Sequence, residues 1–247
     1  MIKKYNSQLE SNIEKTKILF CINFLYSSQR INYLFEVISA ASDWGSDHVD
    51  CIIFIEKNDQ SSIDAIKHVL FKLIRKNFTI SISPHPEVAD KPRHLSWCHK
   101  NKIRELFNEK NNNYTHYVYT EESTKIIRAN IEYFIRFWDK LKHYGLLPGL
   151  VRYEYNNKEN DIFNADQNGK QNIADKSRVI ANNIEFITLD IPYSGSFIID
   201  SRDMDEYILS KSFSMEESKE VVAWGTPERA SMGLTWEKIP QFFPSRV

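Results

Sequence analysis

Cysteine, glycine and surplus charge of either sign are scarce in this 247-residue chain. The three cysteines, Cys21, Cys51 and Cys98, are scattered and odd in number, so neither a disulfide framework nor a cysteine-ligated zinc cluster is expected. A reducing, cytoplasmic setting suits them. Against 33 Asp and Glu stand 32 Lys and Arg, which leaves no bulk charge for coating nucleic acid, so an anionic ligand has to be held by cations placed locally. No apolar run has the uncharged length that a bilayer span needs, and the polar stretch from Met1 to Lys17 has no signal-peptide core. The chain reads as soluble, with attachment to a membrane surface through a partner left open. Its seven glycines form no Gly-x-x-x-x-Gly-Lys-Ser/Thr loop, no Gly-x-Gly-x-x-Gly after the first strand and no Gly-x-Ser-x-Gly elbow. P-loop ATPases, dinucleotide enzymes and serine hydrolases of the usual types are thereby disfavoured.

What is present is apolar material, 42% of the residues, enough for one sizeable core. Lys17 to Tyr26 is almost continuously apolar and rich in strand formers, as a strand covered on both faces requires. Ile31, Leu34, Phe35 and Ile38 then recur at helical spacing, and Val49 to Ile55 is again a short apolar run. The unit repeats. Ser61 or Ser62 is placed to cap a helix carrying Ile63, Ile66, Leu70 and Leu73, and Phe78 to Ser83 is a third strand. Pro84, Pro86 and Pro92 interrupt regular structure and predict a loop. Leu95 to Lys110 reads as a helix and Tyr114 to Tyr119 as a strand. Thr124 to Tyr144 reads as a long amphipathic helix ended by Gly145 and Pro148.

This alternation predicts an α/β fold, a mostly parallel twisted sheet with flanking helices and right-handed crossovers in a single domain. Residues 1–155 form its β/α half, 156–178 a polar mobile excursion dominated by Asn, Asp, Lys and Gln, and 179–247 the rest of the same domain. The last part holds a strand from Ser196 to Ile199 and polar helices around Met204–Ser210 and Met215–Ala223. A Gly- and Pro-punctuated tail leaves room for a protein partner or a homo-oligomer.

In an open parallel sheet, ligands bind beyond the carboxyl ends of the strands, so the residues that follow each strand carry most weight. Four places qualify: Ser27 to Arg30, Glu56 to Asp59, the His85 to His99 region, and Glu121-Glu122-Ser123. Adjacent carboxylates at a strand end suit a divalent cation on phosphate oxygens, and equally suit the N-terminus of the following helix. In His94-Leu95-Ser96-Trp97-Cys98-His99 the histidines lack the i, i+4 spacing of two zinc ligands on one helical face. There Trp97 offers a flat surface for a sugar or base, and Arg93 and His99 could bind phosphate, although a core role for Trp97 competes with this. In Pro227-Glu228-Arg229-Ala230-Ser231-Met232-Gly233, Glu228 is either a helix-terminal charge or a general base toward a hydroxyl.

Taken in order, several of these segments resemble a glycosyltransferase family of the nucleotide-sugar (GT-A) type. They are Arg30-Ile31-Asn32-Tyr33-Leu34, Pro92-Arg93-His94-Leu95-Ser96-Trp97-Cys98-His99, Tyr119-Thr120-Glu121-Glu122-Ser123 and Pro148-Gly149-Leu150-Val151-Arg152-Tyr153-Glu154. Tyr193-Ser194-Gly195-Ser196-Phe197 and the stretch from Glu228 to Leu234 are similar to later landmarks. The resemblance implies a nucleoside-diphosphate sugar donor and a glycan or glycolipid acceptor, with Arg30, Arg93, Trp97, His99, Glu121 and Glu122 on the donor side. It implies Mn²⁺ or Mg²⁺ at the acidic motif, with Glu122 as ligand. Ser123, however, stands where the family's final Asp is expected, so cationic side chains are an alternative charge partner for the diphosphate. Glu228 is the first choice for the base, with Asp190 and Asp200 behind it. The loss of that Asp also keeps open a non-catalytic nucleotide- or carbohydrate-binding protein in a polysaccharide-assembly complex.

Overall fold

The computed structural model describes residues 12–109, 112–156, 161–164, 177–181, 183–187, 195–220 and 224–234. Its centre is β1 (Lys17–Phe24), whose alternate residues feed two different cores. Ile18, Phe20, Ile22 and Phe24 face one side and Leu19 and Cys21 the other, all with no exposed surface. This is why the strand reads as a continuous apolar run. Each such Phe or Ile side chain contributes about 1.5–3 kcal/mol by leaving water.

From β1 the chain passes through helix α1 (Ile31–Ser42) to β2 (His48–Ile55), and through α2 (Gln60–Leu70) to β3 (Phe78–Pro84). It then crosses back through α3 (Leu95–Asn108) to β4 (His116–Glu121), which is followed by α4 (Arg128–Lys142). The strand order is β3-β2-β1-β4-β9, where β9 (Ser196–Asp200) is an antiparallel edge strand and the rest are parallel. α1, α2 and α4 cover one face through Leu34, Ile38, Ile66, Ile131 and Trp138. α3 covers the other through Leu95 and Ile103, with Met204 and Tyr207 of α5 (Met204–Leu209). The predicted α/β architecture is therefore the observed one. The order has one consequence for function. The chain runs outward from β1 to β2 and β3 and then crosses back to β4 on the other side of β1, so the order reverses there and a crevice opens between β1 and β4 at their carboxyl ends.

Local details depart from the sequence expectations for identifiable reasons. The α2 cap is Asp59, whose carboxylate accepts from the Ser62 backbone N–H at 2.9 Å, and not Ser61 or Ser62. Their hydroxyls bond the same carboxylate. α4 is shorter than the expected Thr124–Tyr144, ending at Lys142; the stop beyond it is Gly145, whose φ of +68° a glycine adopts without strain, and the Leu146 N–H closes back on the Leu141 carbonyl at 3.0 Å. The polar excursion opens as an antiparallel pair, β5 (Tyr153–Asn156) with β6 (Asp161–Asn164), and residues 157–160 and 165–176 lie outside the described residues. A second short pair, β7 (Arg178–Ala181) with β8 (Ile184–Ile187), follows. The helix expected over Met215–Ala223 is a single 3₁₀ turn, Glu217–Glu220, with 221–223 outside the described residues. The short α6 (Thr226–Ala230), started by Pro227 in its first turn, was not expected. Among the described residues no helix is long and apolar enough to cross a membrane.

Candidate functional site

At the β1/β4 crevice the register sets Asn23 opposite Glu121. Tyr119, also on β4, reaches across to donate its hydroxyl to Asn23 Oδ1 at 2.6 Å, which ties the two strand ends together. Beyond them lies a cavity of about 170 Å³. Its polar lining comprises Asn23, Arg30, Arg93, Ser96, Glu121, Glu122 and Ser123, and Pro227 of α6 forms one wall. Four predicted donor-side residues, Arg30, Arg93, Glu121 and Glu122, thus meet in one hollow although they come from three separate segments.

The electrostatics centre on Glu122. It is buried at 4% exposure, and its Oε1 forms an ion pair with Nη2 of Arg30, the residue immediately before α1. Burial raises its carboxyl above the ordinary range, Arg30 opposes that rise, and nearby Glu56 adds to it. Glu56 is held by the Tyr26 backbone N–H, which donates to its Oε2 at 3.0 Å. A divalent cation does not suit this donor set. Glu122 would have to release Arg30 and remain buried, and Ser123 brings only a neutral hydroxyl where hard cations favour carboxylates.

Trp97 and His99 lie elsewhere. Both are buried on α3, His99 against the sheet and Trp97 against α6. Trp97 donates its indole N–H to the Thr226 carbonyl at 2.9 Å, clamping α6 to α3, and Lys100 Nζ lies 4.1 Å from the ring centre. His99 stacks on Tyr119 at 3.9 Å between ring centres. Burial holds its imidazole well below the usual range, and neither ring nitrogen has a full hydrogen-bond partner among the described residues. Neither side chain lines the cavity at which contacts with base and phosphate were expected. Periodicity carried the signal for His99, which shares the helical face of Leu95, Ser96 and Ile103; Trp97 lies nearly opposite it on the helix and is covered by α6 instead.

Of the candidate bases, Glu228 is on α6, where its neighbour Pro227 lines the cavity and Glu228 itself does not. Its Oε2 is buried without a hydrogen-bond partner among the described residues and packs against the backbone of Gly225. Asp200 lies at the opposite end of the sheet, paired in register with His116 at the start of β4 and bonded to the Arg202 guanidinium at 2.8 Å. An antiparallel β9 runs away from the crevice, which is why its last residue cannot reach it. Asp190 lies outside the described residues.

The sequence reading did not single out Asn23, Leu25, Ser96 or Pro227, all of which line the cavity. Asn23 had a usable signal, as the one polar residue inside an apolar strand near its carboxyl end. A wider cavity of about 570 Å³ lies across Ser123, with Ile127, Asn130, Arg152, Tyr153 and Ser196 among its walls. Tyr153 is 63% exposed there.

No protein-family model matches the chain, and no curated protein matches it by sequence. Solved structures to which it is similar include mouse xyloside xylosyltransferase 1 in its apo form, at 11% identity and a TM-score of 0.45, covering 94% of this chain and 84% of that one. Residues 1–349 of TarS from S. aureus match at 11% identity and a TM-score of 0.42, over 83% of this chain and 55% of that one. The mannosyltransferase Ktr4p from S. cerevisiae matches at 10% and 0.29, over 63% and 49%. The chain thus spans about half the length of the last two. Likeness at this level carries no residue roles.

Proposed function

We propose that this protein is a glycosyltransferase that moves a sugar from a nucleoside-diphosphate donor to a glycan or glycolipid acceptor. The observation that carries this reading is the convergence of Arg30 and Arg93 with Glu121 and Glu122 in the cavity at the β1/β4 switch point. A diphosphate needs cationic, forked donors, and two guanidinium groups supply them. Arg30 keeps N–H groups beyond the one that meets Glu122, and its side chain is 41% exposed. Glu122 holds that guanidinium in place, so it acts as a positioning residue for the cation in preference to a metal ligand.

The acceptor occupies the wider cavity across Ser123, where the exposed Tyr153 ring offers a sugar an apolar face. Its hydroxyl oxygen attacks the anomeric carbon as the bond to the diphosphate oxygen breaks. Glu228 takes the hydroxyl proton, and the arginines stabilise the charge gathering on the leaving diphosphate. No step passes through a metal ion.

A second reading, a nucleotide- or carbohydrate-binding protein without turnover, draws on the commitment of Glu122 to Arg30 and on the Ser123 hydroxyl. Incubation with a panel of nucleotide sugars and candidate acceptors, with and without Mn²⁺, separates the two. Release of nucleoside diphosphate that depends on acceptor supports transfer. Saturable binding with no release supports the second reading, and no binding of any nucleotide or acceptor removes both.

A further inference from the structure

The turn that follows β3 carries polar groups for which the sugar-transfer site has no use. His85 is fixed at the sheet's edge, because its backbone N–H donates to the Ile55 carbonyl at 2.7 Å and its ring lies 5.6 Å from that of Phe54. Pro86 sets the backbone that follows. His85 Nδ1 is 2.7 Å from Glu87 Oε1, and Nε2 is 3.1 Å from Ser83 Oγ. Cys98, in the first turn of α3, brings its half-buried thiol to the same point. One donor atom from each of His85, Glu87 and Cys98 lies within 4.8 Å of the other two, and no other such group occurs among the described residues.

We propose that His85, Glu87 and Cys98 form a binding site for a divalent transition-metal ion, Zn²⁺ by the chemistry of its donors. An imidazole, a carboxylate and a thiolate are the ligand types Zn²⁺ takes, with the fourth position left to water, whereas Mg²⁺ and Ca²⁺ call for oxygen throughout. Zn–ligand bonds of about 2.0–2.3 Å set tetrahedral donors roughly 3.3–3.7 Å apart. The cluster therefore needs only a small rearrangement, which the exposed Glu87 side chain can make. Ser83 supplies the outer contact: once the ion holds Nδ1, the ring carries its proton on Nε2 and donates it to the Ser83 hydroxyl 3.1 Å away. The ion takes the place of the proton between His85 and Glu87, and the Cys98 thiol gives up its proton. The segment from His85 to Cys98 carries Pro92 and Arg93 to the sugar-transfer cavity. Joining its two ends stiffens the arm that presents Arg93, and the site stands whether or not sugar is transferred.

The test uses the whole chain, stripped with a chelator and titrated with Zn²⁺ by calorimetry and with Co²⁺ by absorption. The expected result is one ion per chain, a thiolate-to-cobalt charge-transfer band and a higher melting temperature with Zn²⁺. Cys98→Ser should abolish the band, and Cys98→Ser and Glu87→Gln should each weaken Zn²⁺ binding at least about tenfold. Glu87 is exposed, so its variant reads binding even if a change at Cys98 disturbs folding. Absence of stoichiometric binding, or binding unchanged in both variants, overturns the proposal.

Discussion

Arg30 and Glu122 meet at the carboxyl ends of β1 and β4, the guanidinium 41% exposed and the carboxylate 6%. The asymmetry sets what each loss would do. Arg30→Ala strands a buried carboxylate and should cost about 1–3 kcal/mol in urea unfolding, a figure reduced from that of a fully buried pair because Arg30 is partly in water. Glu122→Gln leaves no stranded charge and should cost less. The pH dependence has a definite sign. The folded-state pKa of Glu122 lies above its unfolded value, so its contribution is fullest at acid pH and falls as pH rises through the ordinary carboxylate range and beyond. Arg30→Ala should steepen that fall, and the Arg30→Ala, Glu122→Gln double variant should remove it.

Glu228 as base makes a kinetic prediction. Glu228→Gln should lower acceptor-dependent turnover about 10²–10⁴-fold while nucleotide affinity stays within a factor of about two. Equal losses in both would mark a structural role.

Gly225 gives an independent handle on the same carboxylate, since a Cβ there collides with Glu228 Oε2. Gly225→Ala should reduce kcat more than it reduces melting temperature. Unchanged kcat would place Glu228 outside the chemistry.

Trp97 is predicted to act through α6. Trp97→Phe keeps the ring packing but leaves the Thr226 carbonyl without its donor, at a cost of about 1–2 kcal/mol measured by thermal unfolding. If Trp97 instead stacked on a base, the variant would keep its stability and lose nucleotide affinity.

His116 governs acid stability at the far end of the sheet. Burial lowers its pKa to about 4, against the pull of Asp200. The unfolded chain takes up a proton near pH 6.5 and the folded one does not, so stability is full above that value and falls until pH reaches about 4, by roughly 3 kcal/mol. His116→Gln should flatten this part of the unfolding curve, which urea titrations at several pH values will measure. His99, buried and likewise lowered, adds a slope of the same sign that remains in the variant.

The parallel sheet was legible because β1 and β2 are apolar on both faces and the helices between them keep strict periodicity. The grouping of Arg30, Arg93 and the two glutamates followed from one rule, that residues after strands face the crevice. Three things were not legible, each for a physical reason. Trp97 and His99 carry polar atoms in a chemically suggestive motif, yet helical phase points His99 into the core, and Trp97, nearly opposite on α3, is buried by α6, a long-range contact that local pattern does not record. Asp200 ends a strand, but the strand is antiparallel, and direction is not written in a run of apolar residues. The cluster of His85, Glu87 and Cys98 joins a turn to a helix, a proximity that linear spacing hides.

The most direct measurement is calorimetric titration with nucleoside diphosphates of wild type and of Arg93→Ala, whose side chain is exposed and whose removal should leave folding intact. Saturable binding by wild type, weakened about 10–100-fold by Arg93→Ala with an unchanged melting temperature, is the predicted result. Failure of every diphosphate to bind, or equal affinity in the two proteins, would contradict the assignment of this cavity to the pyrophosphate of a sugar donor.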